Sequence, residues 1–463
     1  MTNEAKEGKM LFNYLKLRIL LIQENFMNLI NINKSLKSEG YLQKLFEKNL
    51  IYLNADSRVQ YFYSLLYGME NRIFNNNFID NSLERISIDR FNKAKNFKEK
   101  YNENKIPDIH LNETIFGQLF QQLKDLDKRK FFRVNGNKLF RVNLKEEGAI
   151  DEGGAYREIL SDICEELQSD YIELFIKTPN NKNNIGEEKD KYILNPNCNN
   201  INYNKAYEFI GKLMILAITS NEAFNFNFHP IVWKSLLDNQ ISFKEYETID
   251  VNFYNLITEL EKALIKKDED LINSFDLNFV IKNSIGNDIE LIDSGKETRV
   301  TLENIDTYIK LAKSMRMKEI KEQIKYIKNG LYSVIEENII KILDWKQFEE
   351  MVCGEAKFDM ESFKKYTKCD NKIKEIKWFW EWLENCKEED KFKYLKFVSG
   401  RSRLPKSKIE HKIVLISSKK NELPKSSTCF STLYLPVYDS KEILCEKIKF
   451  AIDNITTIND TPI

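Results

Sequence analysis

The chain is short of histidine, of charge of one sign, of paired cysteines and of uninterrupted apolar runs. Only His110, His229 and His411 occur in 463 residues, so a protease-type Cys–His pair has few candidates. Lys plus Arg equals Asp plus Glu at 71 each. A chain without net charge gives no electrostatic support to a nucleic-acid or anionic-membrane partner, and none is expected. The early apolar stretch from Leu11 to Ile32 is interrupted by Lys16, Arg18 and Glu24, which argues against a membrane span and for an amphipathic helix. No secretory signal or internal repeat is visible. The seven cysteines are scattered and form no CxxC pair. That excludes the usual zinc and disulfide frameworks and fits a reducing cytoplasmic or nuclear compartment. No metal or cofactor is expected. The acidic, glycine-rich Glu147–Gly154 lacks the regular ligand spacing of a calcium loop and reads as a tight turn.

What is present is a soluble, globular composition, 42% hydrophobic and 31% charged, long enough for two or three folding units. Helical periodicity is expected in residues 1–80, at Ile115–Leu123, Ala155–Leu167, Tyr207–Ile218 and Phe243–Leu264, and over Glu303–Tyr332 with Gly330 closing that helix. A hairpin around Gly136 is expected within Phe131–Leu144, and an irregular excursion over Lys177–Asn202. Two short strands, Leu277–Val280 and Asp288–Leu291, are expected on either side of a turn that ends at Asn287, and further strands at Lys412–Ile416 and Leu433–Leu435. Asp439 followed by Glu442 reads as a capping box opening the last helix. Trp378, Phe379, Trp380 and Trp382 are expected in a helix–sheet core. Tyr246, Phe253, Leu256, Ile257 and Leu260 share one helix face, which is either core or a docking patch.

Nucleophilic catalysis by cysteine needs an accessible thiol with thiolate character. Cys429 differs from the other six in its setting, Ser426-Ser427-Thr428-Cys429-Phe430, between a Leu423-Pro424 turn and a strand. A thiol at such a junction can reach solvent while its backbone is fixed from behind. By position alone, a small buried hydrophobe remains the commoner role for a lone cysteine.

The ordered motifs around it resemble those of the HECT-type ubiquitin ligases, from about Ile86 to the C-terminus. Leu423-Pro424 and Thr428-Cys429-Phe430, then Leu433, Leu435-Pro436 and Tyr438, resemble the family's cysteine block. Upstream, in the family's order, stand Asp151-Glu152-Gly153-Gly154, His229-Pro230, Gly295 with Val300-Thr301, Asn304 and Tyr308, Gly330-Leu331, Cys353-Gly354, and Phe397-Val398-Ser399-Gly400-Arg401-Ser402-Arg403-Leu404-Pro405. The resemblance implies an α+β, bilobal fold. A helical extension (1–85) precedes a mostly helical N-lobe (86–352) whose subdomain at about 225–300 binds a conjugating enzyme. A hinge (353–358) leads to an α/β C-lobe (359–463). It implies that Cys429 carries ubiquitin as a thioester and passes it to a lysine of a substrate protein. Thr428, Asp439 and Asp460 are auxiliary candidates, and Phe253, Leu256 and Leu260 are candidates for contact with the conjugating enzyme. Arg401 and Arg403 are open between contact with ubiquitin and structural ion pairing. Two departures stand out: Asp460 occupies the place of a phenylalanine near the end of many relatives, and Ser427 that of a histidine. A catalytically impaired scaffold that binds ubiquitin or a conjugating enzyme is the alternative. A cysteine hydrolase would need His411 beside Cys429.

Overall fold

The computed structural model describes residues 55–74, 83–90, 114–133, 138–145, 154–169, 172–405, 410–417 and 422–454. Residues 1–54, the asparagine-rich 75–77 and 81, His110, Gly136, most of the 147–154 loop and Asp460 lie outside them. Cα packing groups residues 1–81 with 335–348 in one unit, and 82–334 with 349–463 in another. In the first unit, helix α1 (Ala55–Phe74) buries Tyr61, Phe62, Leu65 and Leu66, and Arg58 on it pairs with Asp344 at 3.0 Å.

The second unit is α+β. Strand β1 (Glu84–Ile88) pairs in parallel with β2 (Phe140–Leu144), so among the described residues the far arm of the hairpin expected around Gly136 is paired with β1, while Phe131 ends a 3-10 turn. The apolar alternation of β2 serves a partner from earlier in the chain, a pairing that local sequence does not encode. Helices α2 (Ile115–Leu123) and α3 (Gly154–Leu167) follow. Thr114 caps α2 through its side chain, and the Glu166 carboxylate accepts from the N–H groups of Ile115 and Phe116. This satisfies three donors that a helix start leaves orphaned. The expected excursion at 177–202 instead contains a short helix, Pro179–Asn183, and the antiparallel pair β3 (Phe175–Lys177) and β4 (Tyr192–Leu194).

Helix α4 (Ile201–Ser220) is buried on nearly every side, as befits a helix apolar all round. Asn200 caps its start, and Asn221, in the left-handed region, its end. Beyond it Phe224, Phe226 and Phe228 are fully buried, and Pro230 begins helix α5 (Pro230–Leu236) behind the His229 cap. Helix α6 (Val251–Lys266) starts anew at the Asp250 cap, so the apolar face from Phe243 is split by a 3-10 turn. The antiparallel β5 (Val280–Lys282) and β6 (Asp288–Glu290) and helix α7 (Ile305–Met317) close a core with α6 that includes Ile257, Leu260, Phe279 and Tyr308. Arg316 is locked beside it by Asp250 and Glu319, each at 3.1 Å.

The long helix expected over 303–332 is two helices, because the chain turns at 318–320 before α8 (Lys321–Val334). Gly330 does not terminate α8. A side chain there would collide with the Glu208 carbonyl, and one at Gly211 with that of Ile327, so these glycines let α4 and α8 cross in backbone contact.

From Phe358 onward the chain builds a second core. Its sheet has the order β7 (Thr367–Lys368), β8 (His411–Ile416), β10 (Thr432–Pro436) and β9 (Lys425–Ser427). β10 is parallel to β8 and antiparallel to β9. Helices α9 (Lys374–Asn385), α10 (Glu388–Ser399) and α11 (Lys441–Asp453) cover it. Phe379 and Trp380 are buried there, with Trp378 and Trp382 packed against them. The cap of α11 is Ser440, whose hydroxyl accepts from the Ile443 N–H. Asp439 lies one residue too early and is exposed.

Candidate functional site

Cys429 sits at the tip of a tight hairpin. Antiparallel pairing of Ser427 with Thr432 leaves four residues to reverse the chain. Thr428–Phe430 form one 3-10 turn and Ser431 completes the reversal at φ 45°, a left-handed conformation uncommon for a residue with a side chain. Central strands hold this turn. The Ser431 carbonyl accepts from the Lys412 N–H of β8 at 3.1 Å, and the Thr432 hydroxyl donates to the Phe430 carbonyl at 3.1 Å. Phe430 is exposed and Thr428 half-buried.

The turn is also held from α3. The Arg157 guanidinium donates through Nη1 to the Thr428 carbonyl at 3.2 Å. That oxygen accepts from the Ser431 N–H as well, at 3.4 Å. Arg157 Nε lies 3.2 Å from Glu222 Oε1. Glu222, just past the Asn221 cap, also takes a two-pronged bond from Arg401, with Nε to Oε2 at 2.9 Å and Nη2 to Oε1 at 3.0 Å. Such forks are the stronger form of ion pair. Arg401 follows Gly400, the left-handed cap of α10. The Gly400 carbonyl accepts from the Ser161 hydroxyl at 2.9 Å, and Ser402 donates to Ser161 at 2.9 Å. One further turn along α3, Glu165 pairs with Lys396. Burial pushes the Arg401 pKa down, against the pull of Glu222, yet an arginine stays charged. Arg401 therefore makes a structural ion pair, one of the two roles left open for it.

The remaining candidate residues fall elsewhere. Phe253 and Leu260, at 8% and 0% exposure, face the α6–α7 core, and the Arg316 guanidinium lies 4.9 Å from the Phe253 ring centre. Neither offers surface to a partner, because the apolar face of α6 is consumed by its own core; Leu256 is half-buried at its edge. Asp439 is exposed after β10. His411 is 1% exposed, its Nε2 is 2.9 Å from the Tyr394 hydroxyl and its ring lies against Phe363. Burial takes its pKa down to about 3, too low for a general base near neutrality. That removes the support for a hydrolase. Among the described residues no cluster could hold a metal ion, and no helix is long and apolar enough to cross a membrane.

Sequence reasoning missed Arg157 and Glu222. One signal was available. Arg157 stands in the first turn of a helix, where the macrodipole disfavours a cation, so its charge had to be answered from elsewhere.

A family model described as HECT-domain (ubiquitin-transferase) matches residues 161–459. The chain is 29% identical over 350 residues to the human E3 ubiquitin-protein ligase HERC2, covering 73% of this chain and 7% of that protein. It is 27% identical over 367 residues to the E3 ubiquitin-protein ligase pub1 of Schizosaccharomyces pombe, covering 74% of this chain and 44% of that protein. A putative E3 ubiquitin-protein ligase of Plasmodium falciparum is 30% identical over 290 residues, 59% of this chain and 3% of its own length. The chain thus spans less than half the length of these relatives.

Proposed function

The chain belongs to the HECT-domain (ubiquitin-transferase) family, and on that premise we propose that it is a ubiquitin–protein ligase whose acceptor is Cys429. The observation that carries the proposal is the Thr428-Cys429-Phe430 turn, placed at the tip of the β9–β10 hairpin within the matched region. In the first step the Cys429 thiolate attacks the carbonyl carbon of the thioester joining ubiquitin to a conjugating enzyme. The new S–C bond forms, the old one breaks, and the enzyme's thiolate leaves. In the second, the neutral amine of a substrate lysine attacks the Cys429 thioester. The C–N bond forms, Cys429 leaves as thiolate, and the nitrogen gives up a proton. Asp439, which is exposed, and Asp460 are the carboxylates nominated to orient or deprotonate that amine, with Thr428 as a further auxiliary. Both steps pass through an oxyanion that backbone N–H groups can stabilise.

The domain reading that accompanies this places an N-lobe at 86–352, a hinge at 353–358 and a C-lobe at 359–463. The conjugating enzyme would dock on residues 225–300, where Leu256 rather than Phe253 or Leu260 retains surface. Gly354, within the proposed hinge, has φ +76° and a side chain there would meet the Leu404 carbonyl at 2.5 Å, so this position is reserved for glycine. A cytoplasmic or nuclear location would keep the thiol reduced.

Charging the purified chain with activating enzyme, conjugating enzyme, ubiquitin and ATP tests this. A non-reducing gel should show a ubiquitin adduct that thiol removes, that Cys429→Ala abolishes and that Cys429→Ser converts to a thiol-resistant ester. A thiol-sensitive adduct persisting in Cys429→Ala would refute the assignment. A wild-type chain that binds ubiquitin or the conjugating enzyme but never charges would be a scaffold instead.

A further inference from the structure

We propose that Arg157 is the positioning residue for the Thr428–Cys429 peptide, aligned for that task by Glu222. The inference rests on Cys429 being the ubiquitin acceptor and concerns how its backbone is aimed.

The Thr428 carbonyl and the Cys429 N–H belong to one peptide group. That group is planar, and in the trans form its C=O and N–H point in opposite directions. A bond that fixes the oxygen therefore fixes the direction of the N–H. Arg157 supplies the shorter of the two bonds to this oxygen, 3.2 Å against 3.4 Å from the Ser431 N–H. The second bond comes from within the turn and moves with it. The first comes from α3, on a different part of the fold, and is the one that references the peptide to a fixed frame.

Arginine is suited to this and lysine is not. One guanidinium nitrogen reaches the Thr428 carbonyl while another engages Glu222, and planarity ties the two directions together. Glu222 is itself held, since Arg401 clasps both its oxygens. The alignment thus passes from Arg401 through Glu222 and Arg157 to the peptide of the nucleophile. A pre-aimed Cys429 N–H would donate to the oxyanion formed when an amine attacks the thioester, without reorganisation at the moment of reaction. The Lys396–Glu165 pair also ties α3 to α10 and, among the described residues, has no bond to the turn, which makes it the natural control.

The experiment is single-turnover discharge. The full chain is charged with ubiquitin, the charging enzymes are quenched, free lysine is added, and the first-order decay of the thioester is followed on non-reducing gels. First-order decay does not depend on how much was loaded. Arg157→Ala is expected to slow discharge tenfold or more. Arg157→Lys and Glu222→Gln, which keep a polar group in place, should slow it several-fold. Lys396→Ala should stay within twofold of wild type, and the thermal midpoints of Arg157→Lys and Lys396→Ala should lie within a few degrees of it. Wild-type discharge by Arg157→Lys and Glu222→Gln overturns the inference. So does equal slowing by Lys396→Ala, which would make the effect one of general packing against α3. A wild-type chain that fails to charge is a different failure: it brings down the acceptor assignment, and this inference with it.

Discussion

At the scale of single residues, burial decides what His229 and His411 can do. His229 caps α5, its Nδ1 accepting from the Ile231 N–H at 3.2 Å while Nε2 meets the Thr248 hydroxyl at 2.9 Å. Burial, reinforced by nearby Lys191, lowers its pKa from 6.5 to about 4. The native state thus holds it neutral, whereas the unfolded chain protonates it below pH 6.5. Between 6.5 and about 4 the unfolded state binds more protons, so stability falls as pH falls through that window and levels off below it. A shift of this size corresponds to roughly 3 kcal/mol at the acid end. His411, lowered to about 3, extends the same trend to lower pH. The thermal midpoint of wild type should therefore drop from pH 6.5 to 4.5, and His229→Gln should flatten part of that slope. An unchanged slope in the variant would show that His229 is not a source of it. Phe253→Ala belongs here too. Because the ring is core, the loss should appear as about 3 kcal/mol or more of stability, read as a lowered thermal midpoint before any change in charging by a conjugating enzyme.

At the scale of elements, the crossing of α4 and α8 depends on Gly211 and Gly330. Each glycine faces the backbone of the opposite helix, so an added methyl has no side chain to push aside. Gly330→Ala should force the helices apart and cost about 1–3 kcal/mol or more, although alanine is the better helix former. A thermal midpoint equal to or above wild type would mean the crossing tolerates the methyl. The β9–β10 hairpin is the second element with a consequence. Its four-residue reversal is short because Ser431 accepts a left-handed backbone. That brings Cys429 to the end of the central strand β10 and its edge partner β9 rather than onto a long loop. Sites built on such elements hold geometry better than sites on loops.

At the scale of the whole molecule, Glu222 joins distant stretches of chain: the start of α3, the end of α4, and the loop after α10. Removing it leaves two arginines facing one another in a partly buried place, where an uncompensated charge is costly. Glu222→Ala should therefore lower the thermal midpoint more than Arg401→Ala does. The double variant should lose less than the sum of the two, since residues in one network couple. Strict additivity would show that the contact carries no energy. The same node connects the turn of Cys429 to helices that begin more than two hundred residues earlier in the chain, so stability and discharge can be measured on the same variants.

The sequence by itself determined the α+β class, the family, and the motif-bearing stretch from Asp151 to Tyr438. It also made the helices at 115–123 and 154–167, the hairpin about Asn287 and the tryptophan-rich core legible. Periodicity and turn residues are local signals, and these features are local or lie at fixed spacing along the chain. Only the tertiary structure decided that β2 pairs with β1, that Gly330 serves a crossing rather than a helix end, and that Phe253 and Leu260 face inward. Only it brought Arg157, Glu222 and Arg401 to the turn of Cys429. An amphipathic face shows that a side is apolar, not what covers it. A glycine marks a close approach without naming the neighbour. A charge that is answered far along the chain, as Arg401 is by Glu222, leaves no spacing to read, because the partner is chosen by packing.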